Sequence, residues 1–162
     1  MGAGSEHWSA DRDTPGVIAP PPLIYGAGLA IGFLLEAVLP GGSFPGPVFQ
    51  VLGAVLLLLG IGLGAWFVSS FRRVHTPVAP YEPTTALVTG GPYRLSRNPA
   101  YLGFGLVYAG IALLADAPWV LLPLPVVVAA MRQGVILREE AYLERLFGQD
   151  YRDFKARRRR WI

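Results

Sequence analysis

The 162-residue sequence contains no cysteine, so disulfides, thiolate metal sites and a cysteine nucleophile are all excluded. It contains only two histidines, His7 and His75, which lie far apart along the chain. Two isolated histidines argue against a histidine-rich zinc site, and no serine–histidine–aspartate arrangement is visible. We therefore predict no metal site in this protein.

Charged residues are also scarce. They make up 15% of the chain, where a soluble domain carries roughly a quarter. Hydrophobic residues make up 52%, and the mean hydropathy is +0.42. This composition indicates a membrane protein. The net charge is +3, and its arginines cluster at 72–73, 94–97 and 157–160. We expect these clusters to meet anionic membrane lipid, and we expect no nucleic-acid partner.

Residues 1–22 lack a basic region followed by an apolar core, so they do not resemble a cleaved signal peptide. We expect a mobile polar tail that ends in a proline-rich entry to the membrane. Four apolar stretches follow, and each approaches the roughly 20 residues that a membrane-spanning helix needs. They are Leu23–Leu39, Val48–Phe71, Pro99–Ala115 and Trp119–Leu137. The sequence therefore predicts one all-α, polytopic membrane domain with a bundle of about four spans.

The loops between these stretches differ in charge. The connections "PGGSFPGP" and "DAP" carry no lysine or arginine, whereas the loop over residues 72–98 carries four arginines and the C-terminus is basic. Basic loops face the cytoplasm, so we expect this loop and both termini on that side.

Small residues recur within the spans. Gly28–Gly32 and Gly60–Gly64 have the GxxxG spacing that lets helices approach closely. Packing within the chain is the favoured interpretation, and a homodimer is the alternative. Glu36 lies near the end of the first span, where we expect a structural or interfacial role.

The stretch "GGPYRLSRNPAYLG", residues 90–103, places positive charge and rigid turns directly before the third span. Asn98 and Pro99 are typical of a helix start, with Asn98 as the N-cap. A helix N-terminus attracts anions, and Arg94 and Arg97 add full charges beside it. Tyr93 supplies an aromatic face. Together these groups could hold a ligand with an anionic end and a ring, although arginines that merely contact lipid phosphate are the alternative.

Residues 75–103, "HTPVAPYEPTTALVTGGPYRLSRNPAYLG", and residues 138–162, "REEAYLERLFGQDYRDFKARRRRWI", carry a resemblance. In both motifs the chain resembles the isoprenylcysteine carboxyl methyltransferase family and its bacterial relatives, which are integral-membrane enzymes that use S-adenosylmethionine. Phospholipid N-methyltransferases share parts of the pattern. Asn98 stands where the eukaryotic members typically carry histidine, which puts the substrate in doubt.

The resemblance implies a cytoplasmic cofactor site in a membrane protein, with a bacterial inner membrane as the expected location. The residues it implies for S-adenosylmethionine binding are His75, Val88, Gly91, Tyr93, Arg94, Arg97, Asn98, Pro99, Tyr101 and Glu139.

Arg132 and Glu140 are the candidate catalytic residues. Arg132 lies inside the fourth span, where a charge is costly and often functional, and it could orient an acceptor carboxylate. Snorkelling of its side chain to the interface is the alternative. Glu140 and Glu139 could hold ribose hydroxyls, a cationic group or the nucleophile, or could simply pair with Arg138. Residues 138–162 are predicted to form an interfacial amphipathic helix that breaks at Gly148 and ends in a lipid-binding "RRRRWI" segment.

The expected function is methyl transfer to a lipophilic or lipidated acceptor that enters from the bilayer, with a carboxylate as the leading acceptor. A non-catalytic, lipid-binding scaffold is the main alternative. A phospholipid N-methyltransferase and a nicotinamide-dependent membrane reductase are the others, although the reductase lacks a Rossmann glycine pattern here.

Overall fold

The computed structural model describes residues 14–39, 41–74 and 85–161. Within these ranges all regular structure is helical, which confirms the predicted all-α class. Five α-helices, a π-helical turn and two 3₁₀ turns follow one another along the chain. They are α1 (Pro21–Val38), α2 (Val48–Arg73), a 3₁₀ turn (Gly91–Arg94), α3 (Pro99–Leu114), a second 3₁₀ turn (Pro118–Leu121), α4 (Leu124–Met131), the π-turn (Arg132–Ile136) and α5 (Leu137–Arg157).

Among the described residues, three helical segments are long and apolar enough to cross a membrane. They are Pro21–Val38, Val48–Arg73 and the continuous stretch Pro118–Arg157. The predicted third span is a shorter apolar helix of 16 residues. At 1.5 Å per residue it extends only about 24 Å, somewhat less than the hydrocarbon core of a bilayer. The chain is an integral membrane protein, and the prediction of about four spans is roughly met.

Helices α2 and α3 touch through glycines. A Cβ atom on Gly60 would lie 2.7 Å from the carbonyl oxygen of Gly103, and one on Gly110 would lie 2.8 Å from that of Gly53. Each helix contributes two glycines seven residues apart, so both glycines lie on the same face of the helix and leave that face without side chains at these positions. Without side chains between them, the backbones pack directly, as small residues permit in membranes.

Three of the four predicted GxxxG glycines pack within the chain. Gly28 lies against Val127 and Tyr108, and a Cβ on Gly32 would lie 2.7 Å from Val120 Cα, so α1 approaches the fourth span closely. A Cβ on Gly64 would meet open space. These contacts confirm intramolecular packing for α1, and dimerisation stays a prediction.

Two tyrosines and one carboxylate tie α1, α3 and the start of the fourth span together. Tyr108 is fully buried and donates to Val120 O at 2.8 Å. Tyr25 donates to the carbonyl oxygen of Tyr101 at 3.0 Å. Glu36 Oε2 accepts from the backbone nitrogen of Trp119 at 3.0 Å, which confirms the structural role expected for this glutamate.

The chain before α1 packs on the π-turn. Ile18 N donates to Gly134 O at 3.1 Å, and Arg138 Nη1 donates to Gly16 O at 2.7 Å. The described part of the segment expected to be a mobile tail, residues 14–22, is therefore held against the fourth span. A π-turn interrupts the regular hydrogen-bond pattern of a helix. Here the carbonyl oxygen of Gly134, which belongs to the π-turn, accepts the hydrogen bond from Ile18 N.

The C-terminal helix differs in one respect from the predicted interfacial helix, because α5 continues from the fourth span through the π-turn. The break predicted at Gly148 is confirmed, since this residue has φ 53° and ψ −119° inside α5. Only glycine adopts this conformation at low cost, and the chain changes direction there.

Replacing Gly148 with alanine is expected to destabilise the protein by about 1–3 kcal/mol, because a Cβ is strained in this backbone conformation. The measurement is thermal unfolding of the detergent-purified protein. Gly26→Ala is the matched control, since Gly26 is helical and its Cβ would meet no atom within 4 Å. Equal unfolding temperatures for the two variants would contradict this account.

Candidate functional site

A cavity of about 630 Å³ opens between α2, α3, α5 and the chain before α1. This volume is typical of small-molecule sites. Its wall is mainly apolar and includes Ile61, Val68 and Phe104, while the polar groups gather near the start of α3. The polar residues of the lining are Tyr93, Arg97, Asn98, Tyr101, Glu139, Glu140, Tyr142 and Tyr151.

The structure brings most of the predicted site residues together. Eight of them line this one cavity although they come from three separate parts of the chain. They are Val88, Tyr93, Arg97, Asn98, Pro99, Tyr101, Glu139 and Glu140. His75 lies outside the described residues.

Three predicted residues do not line the cavity. Arg132 is exposed, because the π-turn buries Gly134, Val135 and Ile136 and leaves the arginine on the opposite face. Its predicted role in holding an acceptor is therefore not supported. Arg94 is exposed as well. Gly91 has φ 61° and lies against α2, so it shapes the turn before the site.

Asn98 departs from its predicted role as a side-chain cap, since it makes no capping hydrogen bond to α3. Its Nδ2 donates to the carbonyl oxygen of Arg160 at 3.0 Å, and its backbone nitrogen donates to Ser96 Oγ at 3.0 Å. Pro99 begins α3 as expected. Asn98 therefore links the start of α3 to the end of the chain.

Glu140 is the centre of a buried charge cluster. The residue is 6% exposed. Arg160 donates to both of its oxygens, from Nε at 3.0 Å and from Nη2 at 2.9 Å, and Arg97 Nη1 lies 3.3 Å from Oε1. The hydrogen bonds to the carboxylate raise the pKa of the Arg160 guanidinium, which stays charged. Because both oxygens already accept hydrogen bonds, Glu140 is better placed to position its arginines than to act on a substrate.

Sequence reasoning missed Arg160. It was expected to contact lipid with the other arginines of the 157–160 run, and nothing in the local pattern sets it apart. The sequence feature that could have indicated a role for Arg160 is the acidic pair at 139–140, because buried carboxylates need cationic partners.

Arg97 presents unused donors. Its side chain is 9% exposed, yet its Nε and Nη1 atoms make no hydrogen bond among the described residues. Buried guanidinium donors without acceptors are costly, and they are the groups a carboxylate would satisfy in a bidentate pair. Arg97 is therefore prepared for an anionic ligand.

Glu139 supplies the opposite charge. Its Oε1 accepts a hydrogen bond from Tyr101 Oη at 2.6 Å, and no ion pair with it occurs among the described residues. A carboxylate without a cationic partner, lining the same cavity as Arg97, suits a cationic or hydroxyl group of a ligand.

Aromatic rings form one wall of the cavity. Tyr93 lies between α2 and α5, with its ring centroid 6.1 Å from those of Phe67 and Phe154 and 6.2 Å from that of Phe71. Burial and the neighbouring Glu139 carboxylate raise the pKa of Tyr93, so its hydroxyl stays protonated. This wall offers an aromatic surface beside the charged end.

Comparison with known proteins matches most of the chain that carries this cavity. A family model described as phospholipid methyltransferase matches residues 48–150. Two rice proteins, one from Oryza sativa subsp. indica and one from subsp. japonica, are each 28% identical over 112 residues. Both are named probable protein-S-isoprenylcysteine O-methyltransferase. The match covers 69% of this chain and 56% of each relative, so the chain spans about half the length of the curated relatives it matches.

Proposed function

The chain belongs to the phospholipid methyltransferase family, and we propose that it transfers a methyl group from S-adenosylmethionine to a lipophilic acceptor. Arg97 carries this proposal, because two of its buried donors make no hydrogen bond within the described part of the chain and it lines the cavity. When bound, S-adenosylmethionine supplies an activated methyl group on a sulfonium. The protein's task is therefore mainly alignment of donor and acceptor.

The lining residues fit the cofactor in charge and shape. Arg97 would hold the carboxylate of its amino-acid end, and Glu139 would hold the ammonium of the same end. The aromatic wall formed by Tyr93, Phe67, Phe71 and Phe154 suits the adenine ring. A zwitterion beside a ring suits this combination of a guanidinium with unused hydrogen-bond donors, a carboxylate that has no ion pair among the described residues, and an aromatic surface.

The apolar part of the cavity suits a lipophilic acceptor. Its lining on α2 and α3 includes Ile61, Val68, Phe104 and Val107, which would exclude water from the reacting groups. We propose that the acceptor enters from the bilayer, and that the basic side of the protein, which carries the site, faces the cytoplasm.

A carboxylate is the leading acceptor. The printed names of both rice relatives describe an O-methyltransferase of protein isoprenylcysteine. A carboxylate is already anionic at neutral pH, so it would need no general base. This agrees with a cavity in which both oxygens of Glu140 are already bonded.

An amine acceptor is the second candidate, and the charge of the cavity favours it. Arg97 is the only cationic residue in the described lining, which leaves no second cation for an acceptor carboxylate once the cofactor is bound. Glu139 could instead attract a protonated amine and accept its proton.

The test is methyl transfer by purified protein in lipid nanodiscs with methyl-labelled S-adenosylmethionine. A prenylated cysteine with a free carboxylate and a phosphatidylethanolamine are offered in separate reactions. Label released as methanol in alkali identifies an ester, which we expect; base-stable label on the amine lipid would support the second candidate. No transfer and no saturable binding of S-adenosylhomocysteine would favour the lipid-binding scaffold.

A further inference from the structure

The segment that follows α5 contacts residues that line the polar end of the cavity. Arg97 N donates to the carbonyl oxygen of Arg159 at 3.1 Å, while Ser96 Oγ and Asn98 Nδ2 both donate to that of Arg160 at 3.0 Å. Ser96 is fully buried and Asn98 is 8% exposed. Three hydrogen bonds therefore fix the backbone of this segment against the start of α3.

This backbone anchor places the Arg160 side chain on Glu140. The guanidinium donates to the two carboxylate oxygens at 3.0 and 2.9 Å, which is the fork geometry that gives the strongest hydrogen-bonded ion pairs. Arg97 approaches the same carboxylate at 3.3 Å through Nη1 but makes no hydrogen bond with that atom. Of the two arginines, Arg160 is thus the one that satisfies Glu140.

A buried carboxylate must be paired. Without Arg160, the nearest cation to Glu140 among the described residues would be Arg97. Its guanidinium would turn toward the two vacated oxygens and use the donors that are now free.

We propose that Arg160 is a positioning residue that keeps the Arg97 donors available for the cofactor by occupying both oxygens of Glu140. The inference rests on the proposed function. It concerns a residue beyond the family match, which ends at residue 150. Arg160 itself makes no contact with the ligand in this scheme, since it acts through Glu140 and Arg97.

The neighbouring arginines provide matched controls. Arg158 and Arg159 belong to the same basic run, but their side chains are exposed, whereas the Arg160 side chain is 27% exposed. If only the positive charge of this run matters, substitution at each of the three positions has the same effect. If the ion pair with Glu140 matters, only substitution of Arg160 has an effect.

The experiment is calorimetric titration of S-adenosylhomocysteine into the protein of all 162 residues in detergent. Arg160→Ala is expected to raise Kd about tenfold or more, because Arg97 is drawn to Glu140. Arg158→Ala and Arg159→Ala are expected to leave Kd unchanged. Arg160→Lys is expected to be intermediate, since an ammonium is a point charge and does not form the fork.

A second substitution separates positioning from a merely structural role. Glu140→Gln in the Arg160→Ala background removes the charge that draws Arg97 away, so the double variant is expected to recover most of the lost affinity. If Arg160 only supported the fold, the second substitution would add to the damage.

Wild-type affinity in Arg160→Ala, or a double variant as weak as the single one, would overturn the inference while leaving the proposed function intact. If Arg160→Ala does not fold, as judged by its thermal transition, unchanged Kd in Arg160→Lys overturns the inference and raised Kd supports it. A folded wild-type protein that binds no S-adenosylhomocysteine would instead refute the proposed function, and the inference with it.

Discussion

Arg97→Ala is expected to abolish measurable binding of S-adenosylhomocysteine, with Kd raised about 100-fold or more. Each hydrogen bond from a charged donor contributes about 1.5–3 kcal/mol, and two unused donors of Arg97 are available to the ligand. The fold is expected to survive, because Arg160 still pairs with both oxygens of Glu140 in this variant. Calorimetric titration gives Kd, and thermal unfolding confirms the folded state.

Arg94→Ala is the matched control for this loss. Arg94 lies three residues earlier in the same basic turn, but it is exposed and outside the cavity lining, so its removal is expected to leave Kd unchanged. Similar losses in both variants would mean that positive charge near the membrane surface, and no particular guanidinium, attracts the ligand. Normal binding in Arg97→Ala would remove the main support for the proposed site.

Gly110→Val is expected to destabilise the protein by about 3 kcal/mol or more, because overpacking a close contact forces the backbones apart. A Cβ at this position would lie 2.7 Å from Leu57 N and 2.8 Å from Gly53 O, and valine adds two methyl groups beyond it. Those atoms belong to the backbone of α2, which cannot move aside as a flexible side chain could. The measurement is thermal unfolding in detergent.

Gly105→Val on the same helix controls for the helix propensity of valine. A Cβ on Gly105 would meet no atom within 4 Å, so this variant is expected to unfold near the wild-type temperature. If the two variants unfold together, direct packing of α2 on α3 does not limit stability. If only Gly110→Val is destabilised, the site depends on this contact, since α2 and α3 both line the cavity.

Most of the helical architecture could be predicted, because a membrane span must satisfy its own backbone hydrogen bonds over a fixed thickness. The long apolar run of α2 follows directly from this rule. The glycine faces of α2 and α3 could not be paired from sequence, since glycine spacing shows that a close approach is possible but not which helix approaches.

The site was predictable where local sequence decides it. Arg97, Asn98 and Tyr101 stand at the start of α3, and their positions follow from the proline that begins that helix. Arg132 was predicted to line the site because a charge inside a span is costly. That argument holds only if the side chain is buried within the protein, and in the π-turn Arg132 is exposed. Arg160 was missed because its position depends on the turn at Gly148 and on bonds to residues 62 to 64 positions earlier.

The hydrogen bonds that hold the segment after α5 also bear on local unfolding. The segment after α5 is held by its contacts with Glu140 and the start of α3 and by Trp161, which packs against the buried core, whereas the glycine-packed helices are joined along several turns. Detachment of this short segment separates fewer contacts than separation of the helices, so we expect it to cost less free energy and to occur more often than global unfolding. In each such opening the membrane helices stay assembled while Glu140 loses its partner. The free energy of this small opening, rather than that of the whole fold, then sets the fraction of time for which the binding site is intact.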